Sequence, residues 1–150
     1  MTYTSGNPID VNRKLVDDHL GYETGGTMMI DVLLELYTDD VKWSIPGRGI
    51  SVEGKAAAEK NYREIFDGLG NIRFETLWRL ATGEYVFDRS RITFTVTKEG
   101  HFSGIPKDQE GELALVHRFR MRDGKICEEE VYELPPGTFY EMWNSPSTQE

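Results

Sequence analysis

Apolar residues recur at helical spacing along the first third of the chain and at strand spacing along most of the rest. Val11, Leu15, His19 and Tyr22 follow one another every three or four residues behind Pro8 and Asp10. This spacing predicts a first helix, which Gly25 and Gly26 end. A second helix is predicted from Thr27, as its N-cap, through the segment MMIDVLLELYTDD, which is apolar enough to be buried on most sides. Val41, Trp43 and Ile45 then alternate with Lys42 and Ser44, giving a short strand stopped by Pro46-Gly47. A third helix covers Gly54 to Asp67. Ala56, Ala57, Tyr62, Ile65 and Phe66 form its apolar face, and Gly68 and Gly70 close it.

Beyond this point the period becomes two. Ile72, Phe74, Thr76, Trp78 and Leu80 share one side of a strand, and Thr82-Gly83 turns the chain. The segment YVFDRSRITFTVT is a long β-branched and aromatic strand that ends at Glu99-Gly100, and HFSGIP reads as a short edge segment. Glu112 to Arg122 and Lys125 to Leu134 form a last hairpin, and Pro135-Pro136 ends the sheet. Helices first and strands afterwards make an α+β fold: one curved, mostly antiparallel sheet wrapped by three helices around an apolar pocket. The chain reads as a single domain over 1–150, with its core at about 8–134. The tail 135–150 carries Phe139, Tyr140, Met142 and Trp143, which suit a cap on the sheet or a contact with a second subunit of a homodimer.

Composition narrows the partners. The 150 residues are 38% hydrophobic and 11% aromatic, enough for a real core. A net charge of −9 argues against nucleic acid and against an acidic membrane surface, both of which need clustered Lys and Arg. The one cysteine, Cys127, permits no intrachain disulfide. The N-terminus has no basic start followed by an apolar run, and no apolar stretch reaches bilayer length, so a cytoplasmic location is expected.

The last hairpin carries the candidate chemistry. Leu113, Leu115, His117, Phe119 and Met121 share the side that must face the core and pocket. A three-residue loop Arg122-Asp123-Gly124 would set Phe119 against Cys127, His117 against Glu129, Leu115 against Val131 and Leu113 against Glu133, with Arg118 meeting Glu128 outside. A carboxylate beside an imidazole raises its basicity and fixes its tautomer, so His117 and Glu129 are the candidate catalytic pair. His19 and Tyr22, on the apolar face of the first helix, could reach the pocket, and either could bind an oxyanion. Trp43, Phe74, Trp78, Leu115, Phe119, Val131 and Glu133 are the other candidate lining residues; core packing is the competing fate for the aromatic ones. Asp88, Arg89 and Arg91 read as outer-face charges and His101 as a solvated turn residue. The three histidines show no short metal-ligand spacing, and there is no Gly-rich phosphate loop, so neither metal nor cofactor is expected.

Four segments carry a resemblance: LLELYTDDVKWSIPGRG (33–49), EGKAAAEKNYREIF (53–66), GHFSGIP (100–106) and HRFRMRDGKI (117–126). In them the chain resembles the nuclear transport factor 2-like superfamily, and within it SnoaL-like polyketide cyclases and ketosteroid isomerase-related proteins. The resemblance implies a conical α+β roll with a deep pocket, commonly dimeric. It also exposes departures. Ile45 stands where ketosteroid isomerases resembling this chain carry a basic Asp before the Pro. Thr93 stands where limonene epoxide hydrolases need the Asp of an Arg-x-Asp pair, here Arg91-Ile92-Thr93. Val131 stands where SnoaL-like cyclases place an Asp on the last strand, with Glu129 and Glu133 one strand period away.

Together these readings point to a cofactor-free enzyme of the lyase, isomerase or cyclase type. It would do acid–base chemistry on a hydrophobic carbonyl compound. A non-catalytic ligand-binding domain and a dimeric interaction module of the same fold are the alternatives.

Overall fold

The computed structural model describes residues 6–102 and 104–134. Helix α1 (Pro8–Glu23) starts where the Asn7 side chain accepts a hydrogen bond from the Ile9 amide, 2.9 Å, with Pro8 in the first turn. The predicted second helix is much shorter than its apolar run. A 3-10 turn (Gly26–Met29) leads into α2 (Ile30–Leu34), and strand β1 (Tyr37–Ile45) already begins inside the segment read as helix. Tertiary pairing overrides local propensity here. Ile126 donates its amide to the Leu36 carbonyl at 2.8 Å, and Tyr37 pairs with Ile126.

A tight turn leads to β2 (Ile50–Glu53), a short strand not foreseen from the sequence, which pairs back on β1. Its hinge, Gly49, sits at φ 67°, where only glycine is at ease. Helix α3 (Lys55–Phe66) follows, then the long strands β3 (Leu69–Ala81), β4 (Tyr85–Val96), β5 (Glu110–Arg122) and β6 (Lys125–Leu134). The HFSGIP edge survives as one bridge, Phe102 with Ile105. The six strands form one curved, unclosed sheet in the order β2-β1-β6-β5-β4-β3, antiparallel except for the parallel pair β1 and β6. Because β1 and β6 lie side by side, side chains from opposite ends of the sequence meet on the inner face.

Two irregularities change the register of the sheet, and the second also changes what faces inward. The last hairpin turns on Asp123-Gly124, both at positive φ (54° and 74°), so Arg122 pairs with Lys125. A bulge beyond Met121 then sets Phe119 opposite Glu129 and His117 opposite Val131. The expected register of His117 against Glu129 is therefore corrected by two residues. A two-residue slip keeps every side chain on its face, so both remain on the inner side. In β3 the register shifts by one between Thr76 and Trp78. That single extra residue swaps the faces: Arg79 and Ala81 turn inward, and Trp78 and Leu80 stand outside, about half exposed.

Candidate functional site

An apolar cavity of about 70 Å³ opens between α3 and the inner face of the sheet. Trp43, Phe74, Leu115 and Val131 line it, as the alternation of their strands implies. His117 lines it too, together with three polar residues not anticipated there, Glu23, Arg48 and Tyr62. Glu133 stands at the rim. Arg48 donates to it at 2.8 Å while lying 5.1 Å over the Phe102 ring. His19 and Phe119 are fully buried behind the cavity wall rather than in it. Tyr22 packs half-buried against the core without lining the cavity. Trp78 is on the opposite face of the sheet and drops out of the site.

Glu129 is the centre of a buried polar cluster, and its partners differ from the expected one. His19 on α1, Tyr37 on β1 and Tyr62 on α3 converge on it. His19 Nε2 lies 3.0 Å from Oε1, Tyr62 donates its hydroxyl to Oε2 at 2.8 Å, and Tyr37 donates to the same oxygen. Glu23, one helical turn beyond His19, lies 2.9 Å from His19 Nε2 and 3.1 Å from the Tyr62 oxygen, so it shares with Glu129 the single proton that each of these groups presents. Trp43 Nε1 donates to the Tyr62 oxygen at 3.2 Å.

Burial disfavours a charged His19, but the charges of Glu129 and Glu23 outweigh it and raise its pKa to about 10. Burial likewise opposes an ionised Glu129. The charge and hydrogen bond of His19, with the nearby His117, outweigh it and hold this carboxyl below its usual range. Burial first, and Glu129 second, push the Tyr37 and Tyr62 hydroxyls well above their ordinary value, so both stay protonated donors. His19 Nδ1 has no partner among the described residues, and leaving it buried costs about 1–3 kcal/mol that the two ion pairs offset.

His19, Glu23 and Glu129 offer ligand atoms within 4.8 Å of one another, a set able to hold a cation. Histidine spacing alone could not reveal it, because Glu129 is 110 residues from His19. In this arrangement the imidazole nitrogen itself sits between the two carboxylates, so His19 supplies the positive charge they need.

His117 stacks on Phe119, with ring centroids 5.2 Å apart and planes 11° apart. Its cross-strand neighbour is Asp88, which is buried and not on the outer face as expected. Asp88 takes hydrogen bonds from Ser90 and from Arg79 Nε, the latter at 2.8 Å. Arg91 lies outside, near Glu75 and Glu112. His101 is half-buried, its Nε2 2.6 Å from the Ile65 carbonyl oxygen, and is not a solvated turn residue. The expected Arg118–Glu128 ion pair is present at 3.1 Å, although Arg118 also reaches Glu130 at 3.0 Å. The three departures read from the sequence stand in the structure as side chains without acid–base function: Ile45 and Val131 are cavity wall, and Thr93 pairs with Glu112 in the sheet.

A helix-wrapped sheet closing on an apolar cavity that ends in buried acid–base groups is the architecture of a small-molecule pocket protein. Residues 22–129 match the SnoaL-like domain, and the chain belongs to that family, within the nuclear transport factor 2-like superfamily. No curated protein is significantly similar to the chain. Among solved structures, a Jannaschia sp. CCS1 protein assigned as a SnoaL-like polyketide cyclase is 22% identical, with TM-score 0.71, over 93% of this chain and 94% of its own. A Bacillus subtilis protein assigned as an isomerase is 14% identical, with TM-score 0.72, over 93% and 98%. An LEH-like epoxide hydrolase of M. tuberculosis is 14% identical, with TM-score 0.63, over 87% and 85%. These likenesses show the fold. Among the described residues no helix is long and apolar enough to cross a membrane.

Proposed function

We propose that the protein is a cytoplasmic enzyme of the lyase, isomerase or cyclase type that moves a proton on a hydrophobic, carbonyl-containing small molecule without a cofactor. The observation that carries this reading is that His117 and Tyr62 both line one apolar cavity. The apolar wall favours a hydrophobic substrate, and the few polar groups fix its orientation. By turning its one hydroxyl proton away from Glu129 Oε2, which keeps the Tyr37 donor, Tyr62 can donate to a substrate carbonyl oxygen. As a proton leaves the adjacent carbon, charge grows on that oxygen, and a donor placed there is worth about 2.7–4 kcal/mol. Imidazole is well matched to general-base work near neutral pH, which gives His117 the proton-abstracting role. Glu129, whose side chain has no exposed surface, acts through Tyr62 and His19 as a positioning residue.

The cavity size favours a second reading. Ligand pockets commonly enclose roughly 300–1,000 Å³. A space of about 70 Å³ holds only a few heavy atoms unless the Arg48–Glu133 rim opens. An interaction module with a filled core needs no such opening, whereas a non-catalytic ligand-binding domain needs it as much as an enzyme does.

The discriminating experiment incubates the protein with a panel of aryl β-diketones in deuterated water and follows loss of the α-proton signal by NMR. Wild type is expected to accelerate exchange. His117→Ala and Tyr62→Phe, checked for fold by circular dichroism, are each expected to lose on the order of 100-fold. Saturable binding without exchange would replace the enzymatic reading with the binding one.

A further inference from the structure

We propose that Asp88 is the positioning residue of the cavity imidazole: it holds the His117 proton on Nδ1 and leaves Nε2 as the base. The inference rests on His117 being the group that meets the substrate. Strands β4 and β5 set Asp88 directly opposite His117, and both are buried on the inner face, at 1% and 2% exposure. His117 Nδ1 has no hydrogen-bond partner among the described residues, and Asp88 Oδ1 faces it at 3.8 Å. That is longer than a hydrogen bond, but empty sites commonly hold catalytic pairs long and tighten them on substrate.

Asp88 is itself fixed. Ser90 donates to Oδ1, and Arg79 Nε donates to Oδ2 while the other end of the guanidinium reaches Asp17 on α1. Held by Arg79 and Ser90, the Asp88 side chain faces the His117 ring in a fixed position and orients it. Glu129 on β6 also acts on His117 through space, but Phe119 is the residue set opposite Glu129 in the sheet. The Phe119 stack fixes the plane of the His117 ring, yet a half-turn about the Cβ–Cγ bond would put Cδ2 where Nδ1 stands. A carboxylate on one side decides which nitrogen carries the proton.

The test is long-range nitrogen–proton correlation NMR of the full chain, slightly above neutral pH. The protein has 3 histidines, so His117→Gln identifies the His117 signals. The expected pattern is an Nδ1-protonated ring with a bare Nε2. Asp88→Asn is expected to mix in the opposite tautomer, moving Nε2 towards the protonated range, while Ser90→Ala retains the wild-type pattern. A wild-type ring protonated on Nε2 or on both nitrogens would overturn the proposal, as would an Asp88→Asn ring with an unchanged tautomer. Should Asp88→Asn fail to fold, the wild-type tautomer decides alone. The readout needs no turnover, so its failure is distinct from a failure of the exchange assay.

Discussion

His19 bears directly on stability, because it brings a positive charge between two buried carboxylates. Replacing it with Gln leaves Glu23 and Glu129 facing each other without a cation, a change that costs about 3–5 kcal/mol. Urea unfolding followed by circular dichroism reads this directly. The pH dependence has a definite sign. Histidine in an unfolded chain titrates near roughly 6.5, whereas His19 in the fold is raised to about 10. Its contribution is therefore complete below the lower value and lost as pH rises through the higher one. Glu129, with its pKa lowered from 4.5, contributes stability above that value and loses it as pH falls towards about 2. Unfolding free energy is expected to decline from pH 7 to 10 in wild type and to be flatter in His19→Gln; equal slopes would contradict the cluster's charge assignment. Alternation in the last hairpin sufficed to place His117 and Glu129 on the inner face. It could not show who meets them, because His19 and Tyr37 come from distant elements and Tyr37 sat in a run that reads as helix.

The β5–β6 hairpin shows how local turn chemistry sets the geometry of the site. Asp123 and Gly124 both adopt left-handed backbone conformations, which an Asp-Gly pair tolerates and most other pairs do not. Gly124→Ala is expected to cost about 1–2 kcal/mol, lowering the melting temperature by about 2–4 °C per kcal/mol in a chain of this size. An unchanged melting temperature would show that the turn relaxes at no cost. The bulges beyond Met121 and Thr76 were not legible, since a bulge is one residue of slack that only the partner strand reveals. The first moved a cross-strand neighbour while preserving faces; the second turned Trp78 from expected lining to outer surface. Strand β2 escaped notice because four residues give too little alternation to read.

Across the whole molecule, the outer sheet face is more apolar than a solvated surface needs to be. Tyr132, Val116, Arg89 and Trp78 form one row across β6, β5, β4 and β3, and Glu130, Arg118, Phe87 and Leu80 form the next. Trp78, Leu80, Phe87 and Tyr132 are between 37% and 52% exposed. We propose that a second copy of the chain covers this face; the apolar tail 135–150, offered from sequence as an additional contact, lies outside the described residues. Sedimentation at micromolar concentration is expected to give a dimer, and Trp78→Glu with Phe87→Glu a folded monomer. A wild-type monomer would refute the dimer, and a dimer insensitive to both changes would place its interface elsewhere.

If substrate chemistry happens in the inner cavity that His117 and Tyr62 both line, a crystal of the protein soaked with an aryl β-diketone will hold the diketone there. Density is expected in the cavity, with one carbonyl oxygen within hydrogen-bond distance of the Tyr62 hydroxyl and the carbon between the carbonyls facing His117 Nε2. A diketone seated with neither group in reach, or bound only on the outer face while the cavity stays closed behind Arg48 and Glu133, would contradict it.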